Sequence, residues 1–250
     1  MDTLSTAYAL YPLWFWVLGS VLLYGLGTNL LFLARAAGWT RAGYTTGLVQ
    51  GGRALFFLAI PYLALGGWPR RPFQGLLSLQ DMGIVGFGGD WPVDRWLETA
   101  GTGFGLGLLS LMLLWLAWVN ANWAGSRLRF FARPWWSLLI DVVLLQIHWA
   151  FYRGALAVTA NSLSAGVFWG LGLVYLEWFA NPFWRRGWRK GAQAAEQWLR
   201  AAMALVTALL FFLTRNLWVC LGVHLALVWV FYQFGRNPAV NRETEVTSLR

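Results

Sequence analysis

Apolar runs of about 20 residues recur along this chain, and each is long enough to cross roughly 30 Å of hydrocarbon as a helix. Seven such spans are expected, at about Leu10–Leu33, Gly47–Leu65, Gly103–Trp123, Trp135–Ala160, Leu163–Ala180, Trp198–Thr214 and Leu217–Phe234. The composition agrees: 58% of the 250 residues are hydrophobic and only 12% are charged, against about a quarter charged in an ordinary soluble domain. The expected fold class is therefore all-α, a polytopic membrane helix bundle with about seven transmembrane helices. A single membrane-embedded domain should cover residues 1–235, with a mobile tail over 236–250, where apolar periodicity is lost. The N-terminus lacks a basic region before its long, aromatic first run, so no cleavable signal peptide is expected.

The formal charge of +9 resembles that of a nucleic-acid-binding protein, but its distribution argues against that partner. The basic residues collect in short loops beside the spans. With the N-terminus outside, the inner loops and tail hold Arg35, Arg41, Arg127, Arg129, Arg133, Arg185, Arg186, Arg189, Lys190, Arg236, Arg242 and Arg250. The other side holds Arg70, Arg71, Arg95 and Arg215. That asymmetry is a positive-inside signal. It puts the C-terminus in the cytoplasm, the N-terminus outside, and the chain in the lipid bilayer of a bacterial inner (plasma) membrane. Arg53 falls within the second span and either snorkels to the interface or lines the interior. The single cysteine, Cys220, excludes an intrachain disulfide and cysteine-cluster metal sites.

Between the second and third spans, residues 68–102 are rich in Gly and Pro and too polar to span. Short interfacial helices are expected there near Phe73–Leu79 and Trp91–Thr99. Many of the 19 tryptophans lie where spans meet the interface, as an aromatic belt would; a cavity for a large apolar ligand is the other reading. Gly103, Gly105 and Gly107 in the third span, and Gly166, Gly170 and Gly172 in the fifth, are spaced for close helix packing.

The fourth span carries ionisable groups at positions where each costs a few kcal/mol, so they should face a protein interior or a water-filled cavity. Asp141, His148 and Tyr152 are separated by seven and four residues and share one helix face. Arg153 lies about 100° further round. Glu177 in the fifth span and His224 in the seventh lie at comparable depth. If the three helices adjoin, His148, Glu177 and His224 converge. Three meanings are open. The cluster is a hydrogen-bonded structural device. Or a carboxylate and an imidazole activate water while a second imidazole stabilises an oxyanion. Or His148 and His224 ligate haem iron axially; a zinc site would need Glu177 as a third ligand.

Three segments resemble the membrane-embedded CAAX protease and bacteriocin-processing (CPBP) family. They are Gln80-Asp-Met-Gly-Ile84, like the family's D-L-G-L segment; His148-Trp-Ala-Phe-Tyr-Arg-Gly154, like E-E-x-x-F-R-G; and Asn216-Leu-Trp-Val-Cys-Leu-Gly-Val-His224, like S-L-W-x-x-x-x-x-H. The resemblance covers about residues 75–235. It implies an intramembrane endopeptidase with His148, Glu177, His224 and Arg153 at the catalytic site and a membrane peptide as substrate. The departures are specific. His148 stands where the family has its water-activating glutamate, and Trp149 where it has the second. Glu177, in Leu173-x-x-x-Glu177, stands where the F-x-x-x-H motif has histidine. Val228 replaces the asparagine of H-x-x-x-N. Either glutamate and histidine have exchanged places, with Glu177 or His148 activating water and His224 facing the oxyanion, or the site is that of a non-catalytic subunit or scaffold of a larger membrane complex.

Overall fold

A computed structural model of the chain describes residues 2–38, 42–66, 77–86, 91–123, 134–189 and 191–236. Among these, every regular element is an α-helix: α1 (Asp2–Ala36), α2 (Ala42–Leu65), α3 (Val93–Trp123), α4 (Trp135–Ala160), α5 (Leu163–Ala180), α6 (Pro182–Gly187), α7 (Gly191–Thr214) and α8 (Leu217–Arg236). Five of them, α1, α3, α4, α5 and α7, contain stretches long and apolar enough to cross a membrane; the apolar parts of α2 and α8, Val49–Leu65 and Leu217–Gln233, are shorter. The protein is an integral membrane helix bundle. The expected mobile tail, 236–250, lies outside the described residues except for Arg236, which ends α8. Most of the interfacial helix expected at Phe73–Leu79 lies outside them too; residues 77–79 of it are irregular.

One expectation is corrected. The interfacial helix near Trp91–Thr99 and the third span are not separate, because α3 runs unbroken from Val93 to Trp123. Isolated glycines inside a helix cost only about 1 kcal/mol each. Here packing against α8 offsets that cost: a Cβ at Gly103 or Gly107 would run into Val219 or Val223.

α4 is the axle of the bundle. It is buried on nearly every side from Asp141 to Leu156. It shares one apolar cluster with α1, α2 and α5, through Leu13, Ile60, Phe151 and Val174, and another with α7 and α8, through Leu138, Met203, Leu227 and Phe231. Its turn into α5 is tight. Asn161 adopts the left-handed conformation (φ 48°) that ends the helix, and the Ser162 hydroxyl accepts the Ala165 N–H at 3.3 Å to start the next; both residue types suit those roles. Gly166 and Gly170 then let α5 lie directly on α4. A Cβ at Gly166 would strike the Ala157 backbone, and one at Gly170 would come 3.0 Å from the Arg153 nitrogen. α5 passes through Asn181 into α6, where the Asn181 side-chain oxygen Oδ1 accepts the Phe183 N–H at 2.9 Å.

The segment 77–86 wedges between α4 and α8. Ser78 donates from its backbone nitrogen and its hydroxyl to Asp81 at 2.8 and 2.7 Å. The Leu217 N–H donates to the Gly83 carbonyl at 2.8 Å. A Cβ at Gly154 would lie 2.8 Å from the Asp81 carbonyl oxygen. The three sequence segments Gln80–Ile84, His148–Gly154 and Asn216–His224 thus meet in space.

Candidate functional site

Two polar stripes run along α4, about 100° apart. The first is Asp141, His148 and Tyr152, as the spacing predicts. Asp141 pairs with Arg53 of α2 at 3.3 Å, so Arg53 lines the interior rather than snorkelling. His148 and Tyr152 both reach Glu177 of α5. His148 Nε2 lies 3.2 Å from each carboxylate oxygen, and the Tyr152 hydroxyl lies 2.5 Å from Oε1. The Tyr152 oxygen is also 2.9 Å from the Ser20 hydroxyl of α1. A carboxylate only accepts and a phenol has one proton, so Tyr152 donates to Glu177 and Ser20 donates to Tyr152. His148 likewise presents Nε2–H to the carboxylate. Its ring is enclosed by Phe56 and Phe57 of α2 and by Tyr152, with centroids at 5.2, 4.9 and 4.5 Å.

The second stripe is Gln146, Trp149 and Arg153, and it serves His224. Gln146 Nε2 lies 2.8 Å from His224 Nδ1. Trp149 stacks on the His224 ring at 5.5 Å and 10°. Arg153 is buried; it donates to the Thr207 carbonyl of α7 at 3.1 Å and to Gln146 Oε1 at 3.5 Å, and lies 4.4 Å over the Phe211 ring. Among the described residues no carboxylate pairs with it. Its acceptors are a backbone carbonyl within α7 and a side-chain amide oxygen. Gln146 joins this cluster although sequence reasoning did not single it out. Its signal was its spacing: it is seven residues before Arg153 and three before Trp149.

A cavity of about 960 Å³ opens between α1, α2, α4, α5, α7 and α8. Its wall includes Glu177 and His224, with Trp149 and Trp178 beside them and the Arg53–Asp141 pair further along. Val228 also lies on the wall. His148 does not; α2 seals it behind Glu177. Of the two bases that the sequence left open, only the carboxylate reaches the cavity. The same sealing bears on haem. Axial ligation needs both imidazoles to face one space, and His148 faces Phe56, Phe57 and Glu177 instead, so this pair does not fit haem. Among the described residues no three His, Cys, Asp or Glu side chains converge as a metal ion would require.

Glu177 and His224 therefore line the same cavity, each held by its own α4 stripe. Glu177 offers a buried carboxylate held by a phenol and an imidazole. His224 offers the ring nitrogen that Gln146 does not occupy. A carboxylate has about four acceptor positions, so lone pairs remain for a water or a ligand donor in the cavity.

No protein-family model, no curated protein and no solved structure matches the chain. The likeness to the CPBP family rests on the three sequence segments alone.

Proposed function

We propose that this chain is a CPBP-like intramembrane hydrolase that cleaves a membrane peptide with an exchanged glutamate–histidine pair. The single observation that carries the reading is that Glu177 and His224 share the wall of one cavity while His148 backs Glu177. In this reading Glu177 takes a proton from water as the water oxygen bonds to the peptide carbonyl carbon. His224 donates to the carbonyl oxygen as it becomes an oxyanion. The C–N bond then breaks, and the proton passes from Glu177 to the leaving amine. His148 and Tyr152 orient the carboxylate, and Arg153 holds the second stripe. The proposed setting is seven spans, with α2 and α8 crossing as well, in a bacterial plasma membrane with the C-terminus cytoplasmic.

The test is peptide hydrolysis by purified protein in proteoliposomes, using membrane-inserted peptides with varied sequences. Glu177→Gln should cut turnover by a factor on the order of 10² or more, the usual share of a general base. Val228→Asn, which restores an amide one turn from His224, should raise it, since one oxyanion donor is worth about 10²–10³ in rate.

A second reading is a non-catalytic subunit or scaffold that binds a peptide or lipid chain in the same cavity. It is favoured by the engagement of both Glu177 oxygens and by valine at position 228. Peptide binding that survives Glu177→Gln, with no turnover in the parent protein, decides for it.

A further inference from the structure

His224 has two ring nitrogens, and Nδ1 is engaged, 2.8 Å from Gln146 Nε2. The other end of that amide, Oε1, lies 3.5 Å from Arg153 Nη2. A guanidinium carries donors and no acceptor, so the amide oxygen must face Arg153. The Gln146 NH₂ then faces His224, and an amide NH₂ only donates. Nδ1 must be a bare lone pair, and a neutral imidazole in that state carries its proton on Nε2. Arg153 is itself pinned by the Thr207 carbonyl and the face of Phe211, so a flipped amide would set its NH₂ against the guanidinium, donor to donor. Trp149, on the same stripe of α4, fixes the plane of the ring.

We infer that Gln146 is a positioning residue: oriented by Arg153, it locks His224 as an Nε2–H donor at the cavity that His224 lines. The locked ring selects an occupant that presents an oxygen acceptor there, such as an amide or ester carbonyl, and disfavours one that presents a cation or an N–H group. The assignment rests on the proposed site, because it gives His224 its part in it. Glu177 and His224 then give the wall of one cavity both an acceptor and a donor. That is the polarity a carbonyl with an attacking water requires.

The chain has two histidines, so selective ¹⁵N-histidine labelling in lipid nanodiscs gives two imidazole spin systems, and His148→Gln assigns them. His224 in the parent protein should show the Nε2-protonated neutral form. Gln146→Glu, which replaces the donor by an acceptor, should move a proton onto Nδ1 of His224 and leave the His148 signal in place. Gln146→Met, which fills similar space without a polar group, should give a mixture of tautomers. A parent spectrum with His224 protonated at Nδ1 overturns the inference with no variant needed, as does a Gln146→Glu spectrum that keeps the parent pattern. In the hydrolysis assay Gln146→Met should lower kcat tenfold or more with little change in KM. An Nε2-protonated His224 in a protein that cleaves nothing would remove the hydrolytic reading and leave the tautomer lock standing.

Discussion

Tyr152 and Glu177, 25 residues apart in sequence, meet at 2.5 Å across the α4–α5 interface, the shortest hydrogen bond at the site. The phenol gives its only proton to the carboxylate and takes one from Ser20 of α1. Three helices are tied by one hydroxyl. Tyr152→Phe keeps the ring and removes that link. Hydrogen bonds to charged groups contribute about 1.5–3 kcal/mol, so Tyr152→Phe should lower the thermal midpoint in detergent clearly, and Ser20→Ala by less. Equal midpoints for Tyr152→Phe and the parent would show that the bond adds nothing to stability.

Arg153 is buried against neutral acceptors, a carbonyl and an amide. Arg153→Ala strands both and opens a hole beneath Phe211. The loss should be about 1–3 kcal/mol for each buried acceptor left unsatisfied. Lysine should rescue poorly, since a point charge cannot reach two acceptors in the planar geometry of a guanidinium. Alanine at the exposed Arg189 is the control and should melt like the parent. Differential scanning fluorimetry of the three variants decides the matter.

Gly166 and Gly170 allow α5 to touch α4, whereas Gly172 has open space where a Cβ would go. Gly170→Ala should destabilise the bundle by about 1–3 kcal/mol, the usual range for overpacking. Gly172→Ala should be neutral or slightly stabilising, because alanine is the better helix former. Comparable melting of the two variants would contradict the close contact.

Reporter fusions test the proposed orientation. A fusion after Arg189 should report a cytoplasmic position and one after Asp90 the opposite side. Equal signals would require a different number of crossings.

Much of this was legible in the sequence, for definite reasons. Apolar runs locate helices, and a step of seven or four residues assigns a face, so Asp141, His148 and Tyr152 were expected on one stripe and are found there. The spacing of Gly103 and Gly107, and of Gly166 and Gly170, announced close approach; which glycines stay open, Gly105 and Gly172, depends on the partner helix. Gln146 was not legible because a neutral amide in an apolar run carries no charge to draw notice, and its meaning comes from His224, 78 residues on. Nor could spacing say which histidine meets the cavity. That is decided by Phe56 and Phe57, which α2 lays over His148 from about 90 residues upstream.

The two stripes of α4 have a consequence for how the protein is made. Of the five candidate spans α4 is the least apolar, and insertion alone would cost about 2.5–3.5 kcal/mol for each charged group at mid-membrane. Its partners are unevenly timed. Arg53 and Ser20 are synthesised before it, but Glu177, Thr207 and His224 come after it. A nascent chain that ends near Asn161 therefore holds His148 without Glu177 and Arg153 without Thr207. α4 can settle at full depth only as α5, α7 and α8 arrive, so biogenesis of the second half of the chain is cooperative, and premature termination after α4 should leave a product that quality-control proteases remove.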